Sequence, residues 1–142
     1  QRRASQTIDI THFLPMIWRS RCYTFPVLEQ GLKGRFPDCH WTSLNFFSIT
    51  PRDYFLNTKL AAAHLVENYN AVEAPYRFGD VLCFLENGEG LHTCVYIADD
   101  IVFTKNGNNY RQPWMLMRIP DLVATYPATP PMKVIYMRRK TE

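Results

Sequence analysis

The sequence predicts an α+β fold in which helices come first and an antiparallel meander follows. Three observations predict it. Helix-start signals and helix-period apolar residues cluster between residues 38 and 69. Short runs rich in Val, Ile, Phe and Tyr occupy residues 81–104, and polar turns separate those runs.

Taken in order, Thr7-Ile8-Asp9-Ile10 reads as a short strand, and Phe13 to Trp18 as an aromatic-rich turn around Pro15. Residues 25–37 read as a loop punctuated by Pro26, Gly31, Gly34 and Pro37. Asp38 then stands where an N-cap should, its carboxylate able to accept from the free amides of a first turn. A helix is expected from Cys39 to Ser48, ending before Pro51. A second helix, Thr58 to Tyr69, carries Leu60, Ala63 and Leu65 and is bracketed by Pro51 and Pro75.

The period then changes to two. Val81 to Leu85 is a buried strand, residues 87–90 a turn, and Leu91 to Ala98 a second strand. Asp99-Asp100 is a tight turn into a third strand, Ile101 to Thr104. A polar loop at Asn106 to Asn109, a helical turn from Asp121 to Tyr126 and a strand from Lys133 to Arg138 complete the chain. A four-residue loop at 87–90 sets Cys83 opposite Cys94, on one sheet face with His92. A pair of buried core thiols is favoured there over a cross-strand disulfide.

Composition bounds the function. The 142 residues favour a single domain, read as an extension (1–35), a core (36–106) and a C-terminal loop, short helix and strand (107–142). The longest apolar runs reach five residues, far short of the roughly twenty a spanning helix needs. The net charge is +3, and part of the excess sits in Arg2-Arg3 and Arg138-Arg139-Lys140, which read as solvated ends rather than a nucleic-acid footprint. The four cysteines, at 22, 39, 83 and 94, form no CxxC pair and no Cys/His cluster, so neither a metal nor another cofactor is expected. No secretion signal is visible behind Arg2-Arg3. The aromatic content of 14% suits a dense core or a groove that grips peptide or sugar.

Cys39 is the thiol with a chemical context. The first turn of a helix offers unpaired amides and a favourable dipole, which stabilise the nucleophilic thiolate. A base must then come from another element. His92 leads, near the start of a strand; His12, His40 and His64 are the alternatives, with His40 expected to point about 100° away from Cys39.

These residues resemble a known family. Phe36-Pro37-Asp38-Cys39-His40-Trp41-Thr42-Ser43-Leu44 resembles the Asp-Cys-Ser-Gly-Phe-Val helix start of the NlpC/P60 cysteine peptidases. Arg77-Phe78-Gly79-Asp80-Val81-Leu82-Cys83-Phe84 resembles that family's Pro-Gly-Asp-Leu-Val-Phe-Phe strand. His92-Thr93-Cys94-Val95-Tyr96-Ile97-Ala98-Asp99-Asp100 resembles its His-Val-Gly-Ile-Tyr-Ile-Gly-Asp-Gly strand and turn. Order and spacing agree over residues 36–106, half the chain.

The resemblance implies a divergent member of that family, with a papain-like core whose catalytic helix packs on a small antiparallel sheet. It implies Cys39 as nucleophile, His92 as general base, Asp38 as cap and Gly79-Asp80 as a plain turn. The implied reaction is hydrolysis of an amide bond, by default in a cell-wall (peptidoglycan) peptide, in a bacterial, exported setting.

Two departures stand out. His40 and Trp41 follow the nucleophile where small residues are usual. Thr104 occupies the third catalytic position, twelve residues after the base and often His; Asn106 is chemically the better orienter and is set slightly ahead of Thr104. If a strict two-residue turn joins the strands, Lys105 falls on the His92 face unless a bulge shifts the register. Tyr23, Trp41, Arg77, Tyr96 and Trp114 are the candidate groove residues, each with a core or surface role as its alternative. Two rival functions remain: acyl transfer or amide/ester hydrolysis on another substrate with the same Cys-His pair, and a degenerate module that binds peptide or glycan.

Overall fold

The computed structural model describes residues 7–32, 34–126 and 132–141. The Arg2-Arg3 pair therefore lies outside the described residues. The chain forms an α+β fold around a six-stranded antiparallel sheet of order β1-β6-β2-β3-β4-β5. The strands are β1 (Tyr69–Val72), β2 (Val81–Glu86), β3 (Glu89–Ala98), β4 (Ile101–Lys105), β5 (Trp114–Arg118) and β6 (Lys133–Arg139). The helices are α1 (Met16–Arg21), α2 (Leu28–Leu32), α3 (Cys39–Leu44), α4 (Thr58–Asn68) and α5 (Ile119–Thr125). No helix among the described residues is long and apolar enough to cross a membrane.

The N-terminal region departs from expectation. The expected strand at Thr7–Ile10 is instead a 3₁₀ turn, Ile10–Phe13, because Asp9 accepts from the Thr11 amide at 3.0 Å and caps it. Pro15 opens α1 rather than holding a turn, since a missing N–H is harmless before a helix. Within the expected loop of 25–37 lies the short α2.

Helix α3 begins where Asp38 predicts, with the Trp41 amide donating to Asp38 Oδ1 at 2.8 Å. It ends at Leu44, four residues early. The buried Asn45 side chain bonds the Trp41 carbonyl (2.9 Å) and both backbone groups of Arg52, which draws the chain out of the helix. Helix α4 follows its predicted span to within a residue, capped by Asn57.

The sheet has two packed faces. One carries Val81, Cys83, Val95 and Phe103 against Trp41 and Leu44 of α3, with Trp18 and Trp114. Trp18 is fully buried and donates its indole N–H to the Phe46 carbonyl at 2.8 Å. The Arg21 guanidinium lies 5.4–5.9 Å from the rings of Trp18, Trp41 and Trp114. The other face carries Leu82, Phe84, Cys94 and Val102 against Leu122 of α5.

Register is where the sequence arithmetic fails. The β2–β3 turn is the two-residue Asn87-Gly88, both with positive φ, rather than a four-residue loop. A bulge between Phe84 and Leu85 shifts the pairing by one, so Cys83 faces Thr93 and Cys94 faces Leu82. The two thiols are buried and unpaired, as favoured, but on opposite faces of the sheet. A second bulge, between Tyr96 and Ala98, immediately precedes the Asp99-Asp100 turn. It puts Thr104 rather than Lys105 on the His92 face.

At the foot of the sheet, Asp80 is buried and bonds Arg138 twice, at 2.8 and 2.7 Å, and also the Arg77 amide. Gly79 has φ +92, and a Cβ there would lie 2.5 Å from the Phe47 ring, so glycine is required. The turn is structural.

Candidate functional site

Helix α3 presents Cys39 to β3 at Thr93, the neighbour of His92. The cysteine is 6% exposed. Its sulfur is met by the backbone amides of His40 and Thr93 and by the Thr93 side chain, which favour a thiolate. Burial and the neighbouring Asp38 charge outweigh those donors and push the thiol up to about 12. A helix start therefore does not by itself activate this cysteine, contrary to the expectation from its position. The helix has six residues, which limits the dipole available.

His92 is completely buried, on the face opposite α3. Its ring packs 4.8 Å from Tyr126 and 5.6 Å from Phe84. Nε2 lies 2.8 Å from Thr104 Oγ1, and Nδ1 lies 3.0 Å from the Tyr126 hydroxyl. Thr104 in turn donates to Asn106 Oδ1 at 2.9 Å, while the Asn106 amide nitrogen faces the Met117 sulfur.

That chain assigns the tautomer. With its hydrogen given to Asn106, the Thr104 oxygen must accept, so Nε2 of His92 carries the proton. Nδ1 is left with the basic lone pair, and the Tyr126 hydroxyl donates to it. Burial, with a smaller effect of nearby His40, holds His92 down to about 3, so the ring is neutral at ordinary pH. His92 and Cys39 are not hydrogen-bonded to each other. The Tyr126 hydroxyl occupies the nitrogen a thiol would need, and it lies close enough for the Cys39 charge to raise its pKa, behind the larger effect of burial.

Thr104 therefore makes the contact with His92, and Asn106 stands one step behind it. Tyr126 was not anticipated. It lies 34 residues from His92 beyond two strands, and no spacing motif marks it.

Lys105 is a second residue beyond the reach of the sequence pattern. It is fully buried on the α3 face, its Nζ donating to the carbonyls of Gly107 (2.9 Å) and Asn109 (3.2 Å). Burial brings it down to about 8, opposed by the Asp38 and Cys39 charges. A strand-end lysine running into Asn106-Gly107 was the available signal.

Of the other histidines, His40 places Nδ1 3.0 Å from Thr93 Oγ1, whose side chain also meets Cys39. His12 is exposed beside Asp9, and His64 packs on Phe55 within α4. The five candidate groove residues do not gather around His92. Trp41 and Trp114 are core, 4% and 2% exposed, with the Trp114 indole bonded to Thr42 at 3.0 Å; their size is used against Trp18 instead. Tyr96 packs with Tyr76 and Tyr136, four residues down β3. Arg77 lies at the turn held by Asp80, and Tyr23 lines a shallow hollow with Ile8, Leu116 and Met117.

A cleft of about 290 Å³ opens on the outer side of Tyr126 and Asn106, bounded also by Gly107, Asn109, Gln112 and Thr125, with neither His92 nor Cys39 in its wall. Its lining is polar amide and hydroxyl, suited to hydrogen-bonding a peptide or sugar backbone.

Compared with family models, with curated proteins and with solved structures, the chain returns no match.

Proposed function

We propose that the chain is a thiol-dependent hydrolase of the NlpC/P60 type, acting on an amide bond with Cys39 as nucleophile and His92 as base. The observation that carries this reading is the tautomer of His92. A base that takes a thiol proton needs a free lone pair on one nitrogen and an orienting partner on the other. The chain from Nε2 through Thr104 to Asn106 supplies the orienter and leaves Nδ1 basic.

The steps follow. A substrate entering the polar cleft displaces the Tyr126 hydroxyl from Nδ1. The Cys39 sulfur attacks the carbonyl carbon as its proton passes to Nδ1, and the Cys39 amide holds the oxyanion. The C–N bond then breaks, with the proton returning from Nδ1 to the leaving amine. Water attacks the thioester, again through Nδ1, and releases the acid. By the resemblance, a cell-wall peptide in an exported setting is the first substrate class to try. Acceptance of an amine or alcohol in place of water would make the same site an acyltransferase.

A second reading has its own observation. Cys39 is a buried neutral thiol and Nδ1 is occupied, which suits a module that binds peptide or glycan in the cleft without turning it over. Incubation with cell-wall peptides, matched esters and thioesters, followed by mass spectrometry, separates the readings. The hydrolase predicts an acyl adduct on Cys39 that is absent in Cys39→Ala, and a rate reduced about 10²–10⁴-fold in His92→Ala. Turnover that survives Cys39→Ala would sink the proposal. Saturable binding without turnover, unchanged in Cys39→Ala, would establish the binding module.

A further inference from the structure

A second pocket lies at the opposite end of the sheet from His92. Its volume is about 370 Å³, and it is lined by Ser43, Leu44, Phe47, Ser48, Ile49, Thr50, Arg52, Tyr69, Gly79 and Arg139. The chemistry of that lining is one-sided. It contains two arginines, three aliphatic hydroxyls and a phenol, and no acidic residue.

Neither Arg52 nor Arg139 has an ion-pair partner among the described residues, whereas Arg138 and Arg118 are bound to Asp80 and Asp100. The two uncompensated guanidinium groups converge. Both line this one pocket, Arg52 from the loop after α3 and Arg139 from β6, and at His64 outside it their charges are opposed only by Glu67. Like charges brought together on one pocket without an anion cost Coulomb energy, which a bound anion would reverse.

The positions are built rather than incidental. The Arg52 backbone is clamped by the buried Asn45 side chain, its amide donating to Oδ1 at 2.7 Å. Arg139 sits in the β1–β6 ladder directly opposite Tyr69. The Phe47 ring closes over Gly79, as the short Cβ approach there records. Ser43, 3% exposed and lining the pocket, has a hydroxyl with no hydrogen-bond partner, an unusual expense inside a fold.

We propose that this pocket binds a phosphate-monoester-type dianion between Arg52 and Arg139, with the hydroxyl groups of Ser48 and Thr50 completing the shell. Two guanidinium forks and hydroxyl donors arriving from separate segments suit a tetrahedral oxyanion, which accepts from several directions. A single planar carboxylate would satisfy one fork. The volume leaves room for the organic part of the ester.

The test uses ¹⁵N-labelled protein titrated with inorganic phosphate at low salt, with succinate as the carboxylate arm. Saturable amide shifts are expected at Ser43, Ser48 to Thr50, Tyr69 and Gly79. Arg52→Gln and Arg139→Gln should each weaken phosphate binding about tenfold or more, and the double variant should abolish it. Arg118→Gln, whose side chain is exposed and paired elsewhere, should change nothing. Both arginines are exposed, so the variants should keep the wild-type far-UV spectrum. Shifts scattered over the basic surface, affinity indifferent to the two arginines, or tighter binding of succinate than phosphate would each overturn the proposal. No outcome depends on Cys39 chemistry.

Discussion

The two faces of the sheet are built for different tasks. The α3 face is filled by Trp18, Trp41, Trp114, Phe46 and Phe103, with ring centroids 5.6–6.4 Å apart along the contacts of Trp18. The α5 face has a smaller apolar cluster and, above it, a polar chain from Tyr126 through His92 and Thr104 to Asn106. Cys39 starts a helix held on the first face, while His92 belongs to the second. The difference teaches that the rigid face positions Cys39, the proposed nucleophile, and the polar face sets the protonation of His92, the proposed base, and covers it with a single tyrosine.

The comparison breaks most visibly at Trp18. Trp18→Ala removes a fully buried ring and its bond to the Phe46 carbonyl, and should cost about 3–5 kcal/mol in chemical denaturation. A loss under about 1 kcal/mol would mean that the α3 face is not the rigid one.

On the other face, His92 should make stability depend on pH. Its folded pKa is about 3, against about 6.5 in an unfolded chain. Between those values the unfolded state binds more protons, so stability rises with pH and is lost as pH falls below about 6.5. Wild type should therefore lose about 2 kcal/mol more than His92→Phe between pH 6.5 and pH 5. Parallel pH curves for the two proteins would contradict a buried neutral histidine.

Thr104→Val should have a smaller effect, about 1–2 kcal/mol, because it leaves Nε2 of the buried His92 without a partner. The signature is in NMR of the imidazole: the tautomer should no longer be fixed with the proton on Nε2. Asn106→Ala should leave that proton in place but weaken its fixation, since Asn106 acts through Thr104. Smallest is Asp38→Ala, which removes the cap of α3 and should cost about 1 kcal/mol. An unchanged Tm in that variant would show the helix start to be held by β3 alone.

Much of this architecture was legible in the residues. Asp38 marked the start of α3, Asn87-Gly88 lay within the expected hairpin turn, and alternating Val, Ile and Tyr marked β3 and β4. The end of α3 was not legible, because the Asn45 side chain reaches the Arg52 backbone seven residues on. Edge strands β1 and β5 were missed: the helix pattern runs into Tyr69, and Trp114–Arg118 contains no β-branched residue to mark it as a strand.

The site was legible as residue types and not as contacts. Cys39, His92, Thr104 and Asn106 were named from the sequence, and the structure links the last three in one chain. That Thr104 rather than Lys105 reaches His92 depends on the bulge between Tyr96 and Ala98, and a bulge leaves no clear mark in composition. Tyr126 depends on how α5 packs across the sheet, which is a property of the whole fold. The same holds for the desolvation that keeps Cys39 protonated.

The central claim is that Tyr126 holds the basic nitrogen of His92 away from Cys39. The most direct measurement is the alkylation rate of Cys39 at pH 7, mapped by mass spectrometry, in wild type, Tyr126→Phe and Tyr126→Phe/His92→Ala. The account predicts a slow wild-type thiol, a rate about tenfold or more higher in Tyr126→Phe, and a return to the slow rate in the double variant. A Tyr126→Phe protein no faster than wild type, or one whose gain survives the loss of His92, would contradict it.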